Sequence, residues 1–154
     1  PLRSAITPLK KAAFVAAIDL HEHGAAVRRR VTFSNLLIIR GNAAQMPFPP
    51  AFFDLVVSLS ALEVITTMTD AITETRRVLR PGGQLVAAAP WRNVLTDAGH
   101  VLLTGRDDLD ENYGSRRQTL PVILRRHFRS VTLTHWPPQF HPSIALYQFI
   151  TATV

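Results

Sequence analysis

The chain has 154 residues, no cysteine, 47% hydrophobic residues and a formal net charge of +6. That length suits a single domain over residues 1–154 with a sizeable buried core. The lack of cysteine excludes disulfides, thiolate chemistry and cysteine-bound zinc, and suits a cytoplasmic setting.

Residues 1–11 form a short basic lead-in, disturbed by Pro8. They lack the apolar segment of a secretory signal, and no apolar run in the chain approaches the about 20 residues of a membrane span. Phe14–Ile18 is a buried strand that ends at Asp19. A helix over His21–Arg30 follows, weakened by Gly24. Leu36–Arg40 is the next strand. Asn42–Phe53 is a loop carrying Pro47, Pro49 and Pro50, and Asp54–Ser58 is a third strand.

Met68–Leu79 is the strongest predicted helix. Met68, Ile72, Thr75 and Leu79 share one face, with Ala71 and Val78 beside them. Thr67 or Thr69 can cap its start, Asp70 suits the N-terminal dipole, and Arg76, Arg77 and Arg80 suit the C-terminal one. Glu74 and Arg77 are spaced to pair. Pro81-Gly82-Gly83 stops the helix, and the strand Gln84–Ala89 follows. Residues 91–115 are polar and irregular. Arg116–Phe128 reads as helix, and Val131–Thr134 and Ala145–Val154 as two closing strands around a loop with Pro137, Pro138 and Pro142. Apolar strands alternating with helices predict an α/β protein with a mostly parallel sheet.

Four stretches carry a family resemblance. They are Gly41-Asn42-Ala43, Met46-Pro47-Phe48, Phe53-Asp54-Leu55-Val56-Val57-Ser58, and Glu74 followed by Arg77-Val78-Leu79-Arg80-Pro81-Gly82-Gly83. In order and spacing they resemble the middle of a class I S-adenosylmethionine-dependent methyltransferase, of the broad branch that acts on small molecules. The resemblance implies a Rossmann-like sheet that ends in a C-terminal antiparallel hairpin. It also implies S-adenosylmethionine as cofactor and methyl transfer from its sulfonium to a small-molecule acceptor. The family's glycine-rich turn, with the strand before it, would precede Phe14 by roughly a helix length. Pro1–Lys11 contain no glycine. The N-terminal strand is therefore expected to lie in a longer chain, to come from a homodimer or partner chain that completes the sheet, or to be bypassed by an altered strand order. The first is preferred. Cofactor binding by these residues alone would then be impaired.

Ligands of open α/β sheets lie at the carboxyl ends of strands. Asp19, with the adjoining Leu20, ends the first strand. Its carboxylate can accept both hydroxyls of a ribose, which the resemblance favours, or cap the following helix. Asn42 stands where the family usually has Asp beside the adenine amino group, and a simple Gly-Asn turn is equally open. The Ala43 N–H could meet an adenine ring nitrogen. Met46 and Phe48 are expected to plug the core end. Ser58 would lie beside the cofactor's amino-acid part or the acceptor, or is a plain strand-end serine.

Glu63, Trp91 and His100 lie in segments that could border the acceptor, with His100 a candidate general base. No catalytic residue is assigned. His21 and His23 do not share a helix face and no H-E-x-x-H occurs, so no metal site is predicted. There is neither a G-x-S-x-G elbow nor a P-loop, and Asp107–Glu111 lacks the glycine of a calcium loop. Two rival readings stand beside the enzyme. One is a non-catalytic relative that uses its sheet for subunit contacts. The other is an RNA methyltransferase, raised by the net charge. Nucleic acid is not favoured, because the arginines are scattered over Arg28–Arg30, Arg76–Arg80, Arg116–Arg117 and Arg125–Arg129.

Overall fold

The computed structural model describes residues 12–20, 34–91, 98–99, 101–102, 105, 116–139, 141 and 144–154. The chain divides into two compact units, residues 1–47 and 48–154. The helix expected over His21–Arg30, the lead-in 1–11, His100 and the acidic stretch Asp107–Glu111 lie outside the described residues.

In the first unit, β1 (Val15–Asp19) and β2 (Leu36–Arg40) form a two-stranded parallel sheet, with Val15 opposite Leu36 and Asp19 opposite Arg40. Asn35 fixes the start of this pair. Its side-chain Nδ2 donates to the Ala12 carbonyl at 2.6 Å, and its own carbonyl accepts from the Val15 N–H at 2.9 Å. None of the strand residues is fully buried.

The second unit contains β3 (Phe53–Leu59), α1 (Met68–Val78), β4 (Leu79–Pro90), α2 (Arg116–His127), β5 (Ser130–Trp136) and β6 (Tyr147–Thr153). The strand order is β3-β4-β6-β5. β3 runs parallel to β4, whereas β6 is antiparallel to both β4 and β5. This is the expected α/β sheet with a closing antiparallel hairpin. Side chains alternate across a strand, so register sorts them into two faces. Leu85, Ala87 and Ala89 share one face with Gln148, Ile150 and Ala152, and all six are buried. The helices α1 and α2 pack there through Ile72, Val78, Leu120 and Leu124. Leu55, Val57, Leu59, Phe149, Tyr147 and Trp136 fall on the opposite face and stay exposed.

Three local features depart from the sequence reading. The helix α1 ends at Val78 rather than Leu79, because Leu79 is already extended and pairs with Phe53. Pro81-Gly82-Gly83 do stop the helix, but they sit inside a longer strand, Leu79–Pro90. Pairing jumps there from Phe53–Leu79 to Leu55–Gln84. Glycine is required at this bulge. Gly82 has φ +77, and a Cβ on Gly83 would lie 2.9 Å from the Arg80 carbonyl oxygen. Lastly, Thr67 occupies the N-cap of α1 without a side-chain cap bond, and Thr73 and Thr75 instead donate to carbonyls one turn back.

Phe48, Phe52 and Phe53 form a ring cluster at the start of β3, with centroids 4.8–5.8 Å apart. Arg77 ties it to α1. It donates to both Glu74 carboxylate oxygens at 2.7 Å and to the Phe48 carbonyl at 2.8 Å. Among the described residues, no helix is long and apolar enough to cross a membrane.

Candidate functional site

The carboxyl ends of β1 and β2 meet at one rim, because the strands are parallel and in register. The Gly41 N–H donates to the Asp19 carbonyl at 2.9 Å, and Arg40 Nε donates to the Leu20 carbonyl at 3.1 Å. Gly41 packs tightly there, since a Cβ would lie 3.3 Å from Ile18 Cγ2. The chain then turns. Asn42 Oδ1 accepts from the Ala44 N–H at 2.9 Å, and the Asn42 carbonyl accepts from the Gln45 N–H at 2.9 Å. Of the two uses left open for Asn42, the turn is therefore realised, and Oδ1 keeps its second lone pair. Asp19, Leu20 and Asn42 are exposed, while Gly41 and Ala43 are half-buried.

Ser58 belongs to the second unit. It sits opposite Ala87 in the β3–β4 ladder, one residue before the end of β3. Beyond it, Ser60 takes φ 49, a left-handed conformation that costs a non-glycine residue energy. That turn leads into a 3-10 turn, Leu62–Val64, in which Glu63 is only 1% exposed. The backbone carbonyl of Glu63 accepts from Arg116 Nε at 3.0 Å. Burial pushes the Glu63 carboxyl up from its ordinary value, against the opposing pull of its own backbone N–H and of Arg117. Trp91 follows β4 and meets His135 edge-on, centroids 4.5 Å apart.

A methyltransferase-domain family matches residues 4–87, more than half of the 154-residue chain. The chain belongs to the class I S-adenosylmethionine-dependent methyltransferases. It is 33% identical over 98 residues to a fatty-acid O-methyltransferase of Mycolicibacterium smegmatis, covering 58% of this chain and 36% of that protein. It is 28% identical over 147 residues to a malonyl-[acyl-carrier protein] O-methyltransferase of Geobacter sulfurreducens, covering 86% of this chain and 53% of that protein. The chain thus spans about a third to half the length of these two relatives. Its fold is similar to a chain in the complex between the Haloferax volcanii Trm112 methyltransferase activator and a methyltransferase. The TM-score is 0.74 at 14% identity, over 98% of this chain and 76% of that one.

For this methyltransferase domain, the residues singled out from sequence divide in two. Asp19, Leu20, Gly41, Asn42 and Ala43 share the β1–β2 rim, whereas Ser58 lies at the end of β3. Sequence reasoning placed Glu63 in a candidate segment but missed Arg117 and Gln148, which are buried with it. A signal existed. Pro121 lies inside α2 and has no N–H for the Arg117 carbonyl four residues back, so some other donor was needed.

Proposed function

We propose that this chain holds the adenosine part of S-adenosylmethionine on the β1–β2 rim and supports methyl transfer to a small-molecule acceptor. The observation that carries the reading is the direct bond between the two strand ends, Gly41 N–H to the Asp19 carbonyl. It holds the Asp19 backbone beside the Gly41–Ala43 turn. The donor and acceptor inventory of the rim suits a nucleoside. The Asp19 carboxylate can accept from ribose hydroxyls. The second lone pair of Asn42 Oδ1 can accept from the adenine amino group. The Ala43 N–H bonds to no other described group and can donate to a ring nitrogen.

The cofactor supplies an activated methyl on sulfur. The protein's share is to position the reactants and exclude water. The relatives described above, a fatty-acid O-methyltransferase and a malonyl-[acyl-carrier protein] O-methyltransferase, support an acceptor other than nucleic acid. A further strand belongs to the reading, because β3 pairs only with β4 among the described strands. A homodimer or partner chain is one source. The absence of cysteine supports a cytoplasmic setting.

Isothermal calorimetry with S-adenosylmethionine tests the proposal. Saturable binding that Asp19→Ala weakens is expected. Binding with no dependence on Asp19 would remove the rim from the site. For the RNA alternative, binding should fall steeply with salt, and a flat response would dismiss it.

A further inference from the structure

The two helices of the second unit end on one edge of its sheet. The Ala51 and Phe52 N–H groups donate to the Arg77 and Val78 carbonyls, so the end of α1 meets the start of β3. Along that edge Leu55 stands opposite Gln84, Gln84 opposite Thr153, and Thr153 opposite Ser130. The Arg129 N–H donates to the Thr153 carbonyl, so the end of α2 reaches the same edge at the start of β5. Trp91 and Trp136 lie at the other ends of β4 and β5.

Helix C-termini favour cations, and two such ends on one edge concentrate them. Arg76, Arg77, Arg80, Arg125, Arg126 and Arg129 all belong to it. Two of the arginine runs that look scattered in the sequence therefore share one edge of the fold. Two carboxylates oppose them, and both are taken: Glu74 pairs with Arg77, and Asp54 with Arg80. Arg76, Arg125, Arg126 and Arg129 are exposed and have no acidic partner among the described residues. The Val154 main chain bonds to Gly82 and Gly83 here, and a terminal carboxylate on it offsets one of the four at most. The same edge exposes apolar groups. The loop Pro49-Pro50-Ala51-Phe52 leads into β3 and is exposed throughout, Phe52 at 47%. Val122 is 48% exposed on α2 and shares a helix face with Arg125 and Arg126.

We propose that this edge docks on an anionic phospholipid surface. The arginines bind lipid phosphates, for which their planar, forked donors are suited. Phe52 and its loop enter the headgroup layer, with Val122 and the aliphatic arginine stems beside them. Nucleic acid fits the edge less completely. Non-specific strand binding uses a row of aromatic platforms, and Phe52 is the only exposed aromatic side chain on this edge among the described residues. A stable protein interface needs about 1,000 Å² around an apolar centre, whereas the apolar groups here stand apart, on the β3 loop and on α2. The docking does not depend on cofactor binding.

The test is co-sedimentation of the whole chain with vesicles of phosphatidylcholine alone and of equimolar phosphatidylcholine and phosphatidylglycerol. Binding to the anionic vesicles should be about tenfold or more tighter and should weaken with salt. Arg125→Gln combined with Arg126→Gln should weaken it about tenfold or more, and Arg76→Gln on the other helix about fivefold, the scale of one basic residue at such a surface. These side chains are exposed, so melting temperatures should not change. Phe52→Trp reports insertion. Brominated lipid should quench its fluorescence and spare that of the wild type, which comes from Trp91 and Trp136 at the far edge. Failure to bind the anionic vesicles, equal binding to both, affinity that survives the arginine substitutions, or no added quenching in Phe52→Trp would overturn the proposal. So would tighter binding of an oligouridylate or of polyglutamate at equal charge, which would assign the edge to nucleic acid or to an acidic protein.

Discussion

The two parallel strand pairs, β1–β2 and β3–β4, follow the same sequence rule and meet different fates. LLIIR in β2 and LVVSL in β3 are equally apolar, and no residue of β1, β2 or β3 is fully buried, whereas β4 buries Leu85, Ala87 and Ala89. Every fully buried hydrophobic residue among those described lies between Leu62 and Ala152, in the second unit. The difference lies in what the strands face. β4 and β6 carry α1 and α2 on one side, where Ile72, Leu85, Leu124 and Ile150 close up to 0% exposure. Apolar composition marks a strand, whereas burial depends on the element packed against it. The division also separates roles. Among the described residues, the fully buried apolar side chains lie in the second unit, and the first presents an exposed polar rim.

The largest expected effect tests this contrast directly. Ile72→Ala or Leu85→Ala should cost about 2–5 kcal/mol in urea unfolding, through lost transfer energy plus a cavity. Ile38→Ala in β2 should cost about 1 kcal/mol, since its side chain is only half-buried. Equal losses at the two sites would break the comparison. Next in size is Gly83→Ala, where a methyl meets the Arg80 and Asp54 carbonyls at 2.9 and 3.2 Å. A loss of about 1–3 kcal/mol is expected, with the β3–β4 ladder weakened first in hydrogen exchange.

A smaller effect depends on pH. Burial raises the Glu63 carboxyl above its ordinary 4.5 in the folded chain. The folded state then holds that proton more tightly than the unfolded state does. The resulting stability is fully present below the unfolded value and is lost as pH rises through the folded one. Glu63→Gln should remove this component. The melting temperature of the variant should gain on the wild type as pH rises past that range, and an unchanged pH profile would show the carboxyl to be solvated. Smallest is Ala51→Gly. Ala51 sits at φ 55 before β3, and relieving it should add about 1 kcal/mol.

The sequence made some of this plain and hid the rest for physical reasons. β2, β3 and α1 were legible because their apolar patterns repeat at the strand and helix periods. The start of β4 was not, because Pro81-Gly82-Gly83 reads as punctuation. Only the left-handed Gly82 and the close approach at Gly83 reveal a bulge inside a strand. The rim was legible at Asp19 and Gly41–Ala43, since both follow apolar runs. The group around Glu63 was not. Gln148 looks like an ordinary residue of a closing strand, and its donation to the Arg117 carbonyl depends on the missing N–H of Pro121, 27 positions earlier.

The account depends above all on Asp19 and the Gly41–Ala43 turn forming the adenosine site. Its sharpest test is calorimetric titration of S-adenosylmethionine into the wild type, Asp19→Ala and the core-neutral control Thr132→Ala, at matched melting temperatures. The rim predicts saturable binding in the wild type and the control, weakened about tenfold or more in Asp19→Ala, as expected for lost hydrogen bonds to a charged acceptor. Undiminished affinity in Asp19→Ala would contradict it.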